Sequence, residues 1–244
     1  FKQKTAYEIR LSLVGSEMCI RDRPFIAPDY SSAWLLKDVQ MEYLQEKFDK
    51  KGLMILYTAP WPGQGFYTKF PVNSVSDFSG KKLRIYSTAT QQMGSMLGFN
   101  ATILPFAEIP QAFSTGLIEA LFTSPQTGID IQAWDNTKHF TYAGAIFSKN
   151  AVVVTKKAFN ALSKGDQSNM LAAAKKAELR GWEMSAETTK KQIDILKKNG
   201  MSSKNAPDEV ISKMKSIGLE MMKNWRSKAS PEANAVLDRY LSMR

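Results

Sequence analysis

Residues 80–93 read "GKKLRIYSTATQQM". Lys82 to Ser87 form a predicted strand, and Ala89 to Leu97 the helix that follows it. Thr88 and Gln91 fit a capping box at the helix start, and Gly98 fits its C-terminal stop. Arg84 falls between Leu83 and Ile85, in a run that predicts burial on both faces. A desolvated guanidinium is costly unless an anion meets it.

The same grammar repeats downstream. Thr102 to Phe106 and Leu117 to Phe122 read as strands, and Ile109 to Thr115 as the helix between them. A short helix is expected around Asp130 to Trp134 after Thr123-Ser124-Pro125. Strands alternating with helices predict right-handed βαβ crossovers and a parallel sheet. Ligands of such sheets bind at the edge where the strands end.

Upstream, Leu36, Val39, Tyr43, Leu44 and Phe48 mark a helix over 32–50, and "LMILYTAPW" (53–61) a strand. The Pro- and Gly-rich residues 62–80 read as a loop. Downstream, 139–159 is strand-rich and long enough to cross between two domains. Residues 166–199 form a polar helical pattern, roughly 50 Å if unbroken. Two more helices follow, one over 208–226 with an apolar stripe from Val210 to Trp225 and one from Ser230-Pro231 onward.

Tyr86 and Ser87 end one strand, Phe106 another, and Thr123-Ser124 a third, so these side chains converge on one edge with Arg84. The result is a cleft with one cation, several hydroxyls and aromatic walls, and it suits a small organic acid. The alternative is that Arg84 pairs with a protein carboxylate such as Glu108 or Asp77. Trp61, Phe66 and Tyr67 border the preceding loop, where they either stack on a ligand or pack a hinge.

The charge of +10 is scattered along helical stretches rather than gathered into a basic face with interleaved aromatics, so nucleic acid is not an expected partner. The sequence shows no metal-ligand spacing, Walker loop or G-x-S-x-G, and no cofactor or metal is expected. No run of 18 or more apolar residues suggests a membrane span.

Residues 1–23, "FKQKTAYEIRLSLVGSEMCIRDR", resemble translated sequencing-adaptor read-through, and native sequence is expected from residue 24. Without them 28 basic and 20 acidic residues remain, a net +8, and the single cysteine, Cys19, is gone.

From residue 24 onward the chain resembles the solute-binding proteins of TRAP transporters (tripartite ATP-independent periplasmic transporters). The resemblance rests on "SVSDFSGKKLRIYS" (74–87), "MLGFNATILPFAEIPQAFSTGLIEALFTSP" (96–125) and "NAVVVTKKAFNALSKGDQSNMLAAAKKAELRGW" (150–182), in that order and spacing. It implies a two-lobe α/β fold of the periplasmic-binding-protein type (type II-like), with interlobe hinge strands and a long connecting helix. The lobes are expected at 24–61 with 150–189 (lobe I) and at 62–149 with 190–244 (lobe II, holding the carboxylate). It implies too that the chain is N-terminally truncated, leaving lobe I incomplete.

By the same resemblance Arg84 clamps the ligand carboxylate. Gln64 stands near the place of a second, frequent arginine, which favours a monocarboxylate, and Ser124 replaces a frequent asparagine. The ligand-binding set expected is Arg84, Tyr86, Ser124, Thr123, Phe106, Gln64, Tyr67 and Trp61. The implied protein is a periplasmic monomer, not an enzyme, that delivers a small organic acid to membrane permease subunits. The competing reading is an α/β enzyme that anchors a carboxylate substrate on Arg84.

Overall fold

The computed structural model describes residues 22–244. The adaptor-like segment thus lies outside the described residues except for Asp22 and Arg23, which are buried. The Arg23 guanidinium stands 5.5 Å from the centre of the Trp225 ring.

Helix α1 (Tyr30–Asp49) is started by Asp29, whose carboxylate accepts from the Ser32 N–H at 2.7 Å. Its apolar positions Leu36, Val39, Leu44 and Phe48 are buried, as the spacing predicts. Strand β1 (Leu53–Pro60) follows and pairs antiparallel with β7 (Lys149–Thr155) in a two-stranded sheet.

The second sheet has six strands. Its members are β2 (Gly65–Thr68), β3 (Lys82–Ile85), β4 (Asn100–Ile103), β5 (Ala120–Thr123), β6 (His139–Tyr142) and β8 (Ser202–Asn205). Their order is β4-β3-β5-β2-β6-β8. Strands β4, β3 and β5 are parallel, as expected. The sheet as a whole is mixed, because β2 runs antiparallel to both β5 and β6. Strand β2 lies within the predicted loop. Its short "GFYT" run is flanked by turn residues, but Phe66 and Tyr67 are fully buried by their neighbours. Tertiary burial outweighs local turn chemistry there. The edge strand β8, "SSKN", has no apolar alternation at all and is recruited by pairing with β6.

Helices cover the sheet on both faces. Helix α2 (Thr88–Met96) and α7 (Asp208–Arg226) pack Met93, Val210, Met214 and Ile217 against Phe66, Leu83 and Phe122. On the other face, α3 (Ile109–Ser114) and the end of α6 (Lys164–Lys198) bring Phe113 and Leu196 to Tyr67, Leu121 and Phe140. The remaining helices are α4 (Pro125–Asp130), α5 (Lys156–Asn160) and α8 (Pro231–Met243). The 35-residue α6 runs past both sheets. Its Trp182 indole donates to the Thr58 hydroxyl of β1 at 3.2 Å, while its Gln192 amide donates to Gln126 of α4 at 2.9 Å.

Several boundaries differ from expectation. Ser87, not Thr88, caps α2, and its reciprocal partner is Thr90. Strand β4 ends at Ile103 because Pro105 cannot donate to a ladder, and Phe106 opens a single 3-10 turn instead. Helix α4 begins directly at Pro125, where Ser124 caps it and proline suits the first helical position.

Candidate functional site

The parallel strands end at one edge of the six-stranded sheet. Because β2 is antiparallel to β5, its beginning lies at that same edge, with Gly65 opposite Thr123 and Tyr142. The chain crosses between the two sheets there, once at residues 61–64 and once at 143–148. These crossings are stitched by backbone bonds from Trp61 N–H to Ser148 O at 2.7 Å and from Gln64 N–H to Ile146 O at 3.2 Å. Gly63 is required at the crossing, since a Cβ would overlap the Tyr142 hydroxyl and press on Phe147.

A cavity of about 220 Å3 opens beside these crossings. That is below the roughly 300–1,000 Å3 of pockets for drug-sized ligands, and so suits a small solute. Its lining includes Trp61, Gln64, Arg84, Tyr86, Phe106, Thr123 and Ser124 from the expected set. Thr127, Ser148, Lys149 and Asn150 line it as well.

Arg84 is 5% exposed and sits on the inner strand β3, opposite Thr102 of β4 and Leu121 of β5. Its Nε–H donates to the Leu104 carbonyl at 3.0 Å, which fixes the plane of the guanidinium. Asp77, one carboxylate considered for it, is used elsewhere: it accepts from the backbone N–H groups of Asn73 and Ser74 at 2.7 and 2.9 Å.

Gln64 is buried and engaged at both ends of its amide. It donates to the Ser148 hydroxyl at 3.0 Å and accepts from the Tyr86 hydroxyl at 2.9 Å. It therefore orients Tyr86 and ties the two crossings together. Ser124 Oγ accepts the Thr127 N–H at 3.2 Å and lies 3.0 Å from Thr127 Oγ1. Phe106 is 53% exposed at the rim. Trp61 is half-buried.

Tyr67 does not line the cavity, which corrects the placement expected for it. Tyr67 lies two positions inward from Gly65, the end of β2 at the cavity, and its ring packs 4.5 Å from that of Phe140 beneath α4. Its hydroxyl donates to the Ser124 carbonyl at 3.2 Å. Burial, with Asp130 adding to it, pushes the phenol well above its usual pKa, so it stays a neutral donor under the start of α4. The hydroxyl reaches the carbonyl because Gly128 has no Cβ, which would overlap the phenol.

Of the four lining residues outside the expected set, Lys149 is the charged one. It was one lysine among many, yet it is 6% exposed at the first position of β7. Its ammonium donates to Gln40 Oε1 of α1 at 3.1 Å, and Gln40 itself is 3% exposed. The sequence marks it only by its place two residues before the apolar run "AVVV" (151–154), in the strand-rich segment predicted to cross between domains.

Residues 8–228 match the family described as bacterial extracellular solute-binding protein, family 7. The chain belongs to this family. Among solved structures, the family 7 chain is similar to a Bordetella pertussis extracytoplasmic solute receptor binding pyroglutamic acid. The identity is 36%, the TM-score is 0.89, and 93% of this chain and 78% of the receptor are covered. A second receptor from that organism, also binding pyroglutamic acid, matches at 33% identity and TM-score 0.89, over 93% of this chain and 75% of its own. A marine metagenome TRAP solute-binding protein specific for pyroglutamate matches at 30% identity and TM-score 0.88, again over 93% and 75%. A curated solute-binding protein of Chromohalobacter salexigens is 24% identical over 179 residues, 70% of this chain. The chain spans about half, 52%, of that relative's length. The mixed α/β fold of the family 7 chain is that of these periplasmic receptors. Among the described residues no helix is long and apolar enough to cross a membrane.

Proposed function

We propose that this family 7 protein is the extracytoplasmic receptor of a TRAP transporter, capturing a small monocarboxylate without chemical turnover and delivering it to the membrane permease. The observation that carries this reading is Arg84, a buried guanidinium with its plane fixed, lining a small cavity at the sheet edge beside hydroxyls and aromatic rings. Its planar fork matches a carboxylate in two parallel bonds. Tyr86, Thr123 and Ser124 offer hydroxyls to the same solute, and Trp61 and Phe106 cover its apolar body. Residues 62–149 with 190–226 form the lobe that takes the carboxylate, and 24–61 with 150–189 the facing lobe; α8, expected with the first, instead packs Leu237 and Tyr240 against Leu36 and Val39 of the second. Bending at the two crossings closes one on the other.

Pyroglutamate, a five-membered lactam carrying one carboxylate, is the candidate solute. The three similar receptors named for it support this choice, as does the modest cavity. Calorimetric titration with pyroglutamate tests the reading. Arg84→Lys keeps the charge and loses the fork, so affinity falls by about 1–3 kcal/mol, the worth of a hydrogen bond to a charged group. Equal affinity of the variant and the parent removes the arginine clamp, and consumption of the acid during the titration replaces the receptor with an enzyme.

A further inference from the structure

The cavity holds a second cation whose role the arginine clamp leaves unassigned. Lys149 lines it from β7, in the two-stranded sheet, while Arg84 lines it from β3, in the six-stranded sheet. A solute between them is thus approached from two separately built parts of the molecule. An ammonium carries three donors. Gln40 takes one at 3.1 Å and so fixes where the nitrogen stands. At the place where the family resemblance leads one to look for a second anchor, Gln64 is already committed to Tyr86 and Ser148.

We infer that Lys149 is a second, specificity-determining ligand contact, receiving an oxygen acceptor of the solute other than the carboxylate that Arg84 takes. The solutes are then small acids with a carbonyl or hydroxyl placed away from the carboxylate, and plain hydrocarbon acids of the same size bind poorly. The inference rests on the solute-receptor reading above. The lactam carbonyl of pyroglutamate meets the requirement, and cyclopentanecarboxylate, a ring of the same size without it, does not.

The test titrates both acids into the full chain and into Lys149→Met, which keeps most of the aliphatic stem. The parent binds pyroglutamate at least tenfold more tightly than cyclopentanecarboxylate. In the variant, pyroglutamate weakens by about ten- to a hundredfold, the range of a hydrogen bond to a charged group. Cyclopentanecarboxylate changes less than threefold. If both acids weaken alike, or neither does, Lys149 only ties β7 to α1, and the inference is overturned while the receptor reading stands. If the parent binds neither acid, the receptor reading falls and takes the inference with it. Should Lys149→Met not fold, Lys149→Arg carries the test. A displaced charge there alters pyroglutamate affinity selectively, and an equal change for both acids overturns the contact.

Discussion

The six-stranded and two-stranded sheets face the same cavity but are built differently. In the larger sheet Phe66 and Phe122 are fully buried, and Phe66 lies 4.8–5.8 Å from the rings of Phe78, Phe99 and Phe122. In the smaller sheet Val153 of β7 is 38% exposed, and Leu171, Leu179 and Met184 of α6 stand open to solvent nearby in sequence. Two strands alone are marginal. Besides a small apolar cluster of Ile55 with Leu44 and Phe48, a polar tie holds β1: the Glu178 carboxylate of α6 accepts from both the Thr58 N–H and its hydroxyl, at 2.9 and 2.7 Å. Lys37 of α1 completes this tie to Glu178 at 3.3 Å. The arginine side of the cavity is therefore set in a rigid, doubly covered sheet, and the lysine side in a looser one.

The largest expected effect tests this contrast directly. Phe66→Ala empties the ring cluster and costs about 3–5 kcal/mol in urea unfolding. Val153→Ala, on a half-open strand, stays within about 0.5 kcal/mol. Native-state hydrogen exchange sharpens the comparison, with β2, β3 and β5 amides protected longest and β7 amides opening first. Equal costs for the two substitutions would abolish the distinction between the sheets.

Next comes Gly128→Ala, where the new methyl group must push aside the Tyr67 phenol. Overpacking of this kind costs about 1–3 kcal/mol. Because that phenol holds the Ser124 carbonyl, the loss reaches the cavity as well. If the proposed solute is right, pyroglutamate affinity falls together with the melting temperature. A variant that loses stability but binds unchanged would show that Ser124 is not positioned through Tyr67.

The same contrast explains how much could be read in advance. Strands β3 and β5, the long helix and the amphipathic α7 follow from periodicity, because their burial is written in their own residues. The convergence of Arg84, Tyr86, Thr123 and Ser124 follows from strand ends alone. Strands β2 and β8 do not, since "GFYT" sits among turn residues and "SSKN" is polar throughout. Only their sheet partners make them strands. Missing β2 also hid its direction, and hence the reason why Gln64, just before its start at the sheet edge, enters the cavity while Tyr67, further along the strand, does not. Lys149 was illegible for a different reason: a lysine reads as solvated until a partner such as Gln40, 109 positions away, is placed against it. The share of 1–23 before Asp22 lies outside the described residues.

The smallest expected effect asks whether the rigid sheet owes anything to charge. Asp77 accepts two backbone N–H groups at the turn that leads into β3, and these bonds, with Lys204 contributing least, hold its carboxyl below its usual value. Asp49, at the end of α1, is lowered mainly by the Gln45 amide and by Lys156, whose ammonium is 3.0 Å away. A carboxylate with a depressed native pKa stabilises the fold above the unfolded value, about pH 4, and the gain disappears as pH falls through the lower native value. Asp77→Ala removes a cap-like acceptor and costs about 0.5–1 kcal/mol at pH 7. The difference in urea stability between parent and variant narrows as pH is taken below about 4. A gap that stays constant down to the acid limit of folding would assign the cost to lost packing, and the approach to Arg84 would then be held by shape rather than by the Asp77 charge.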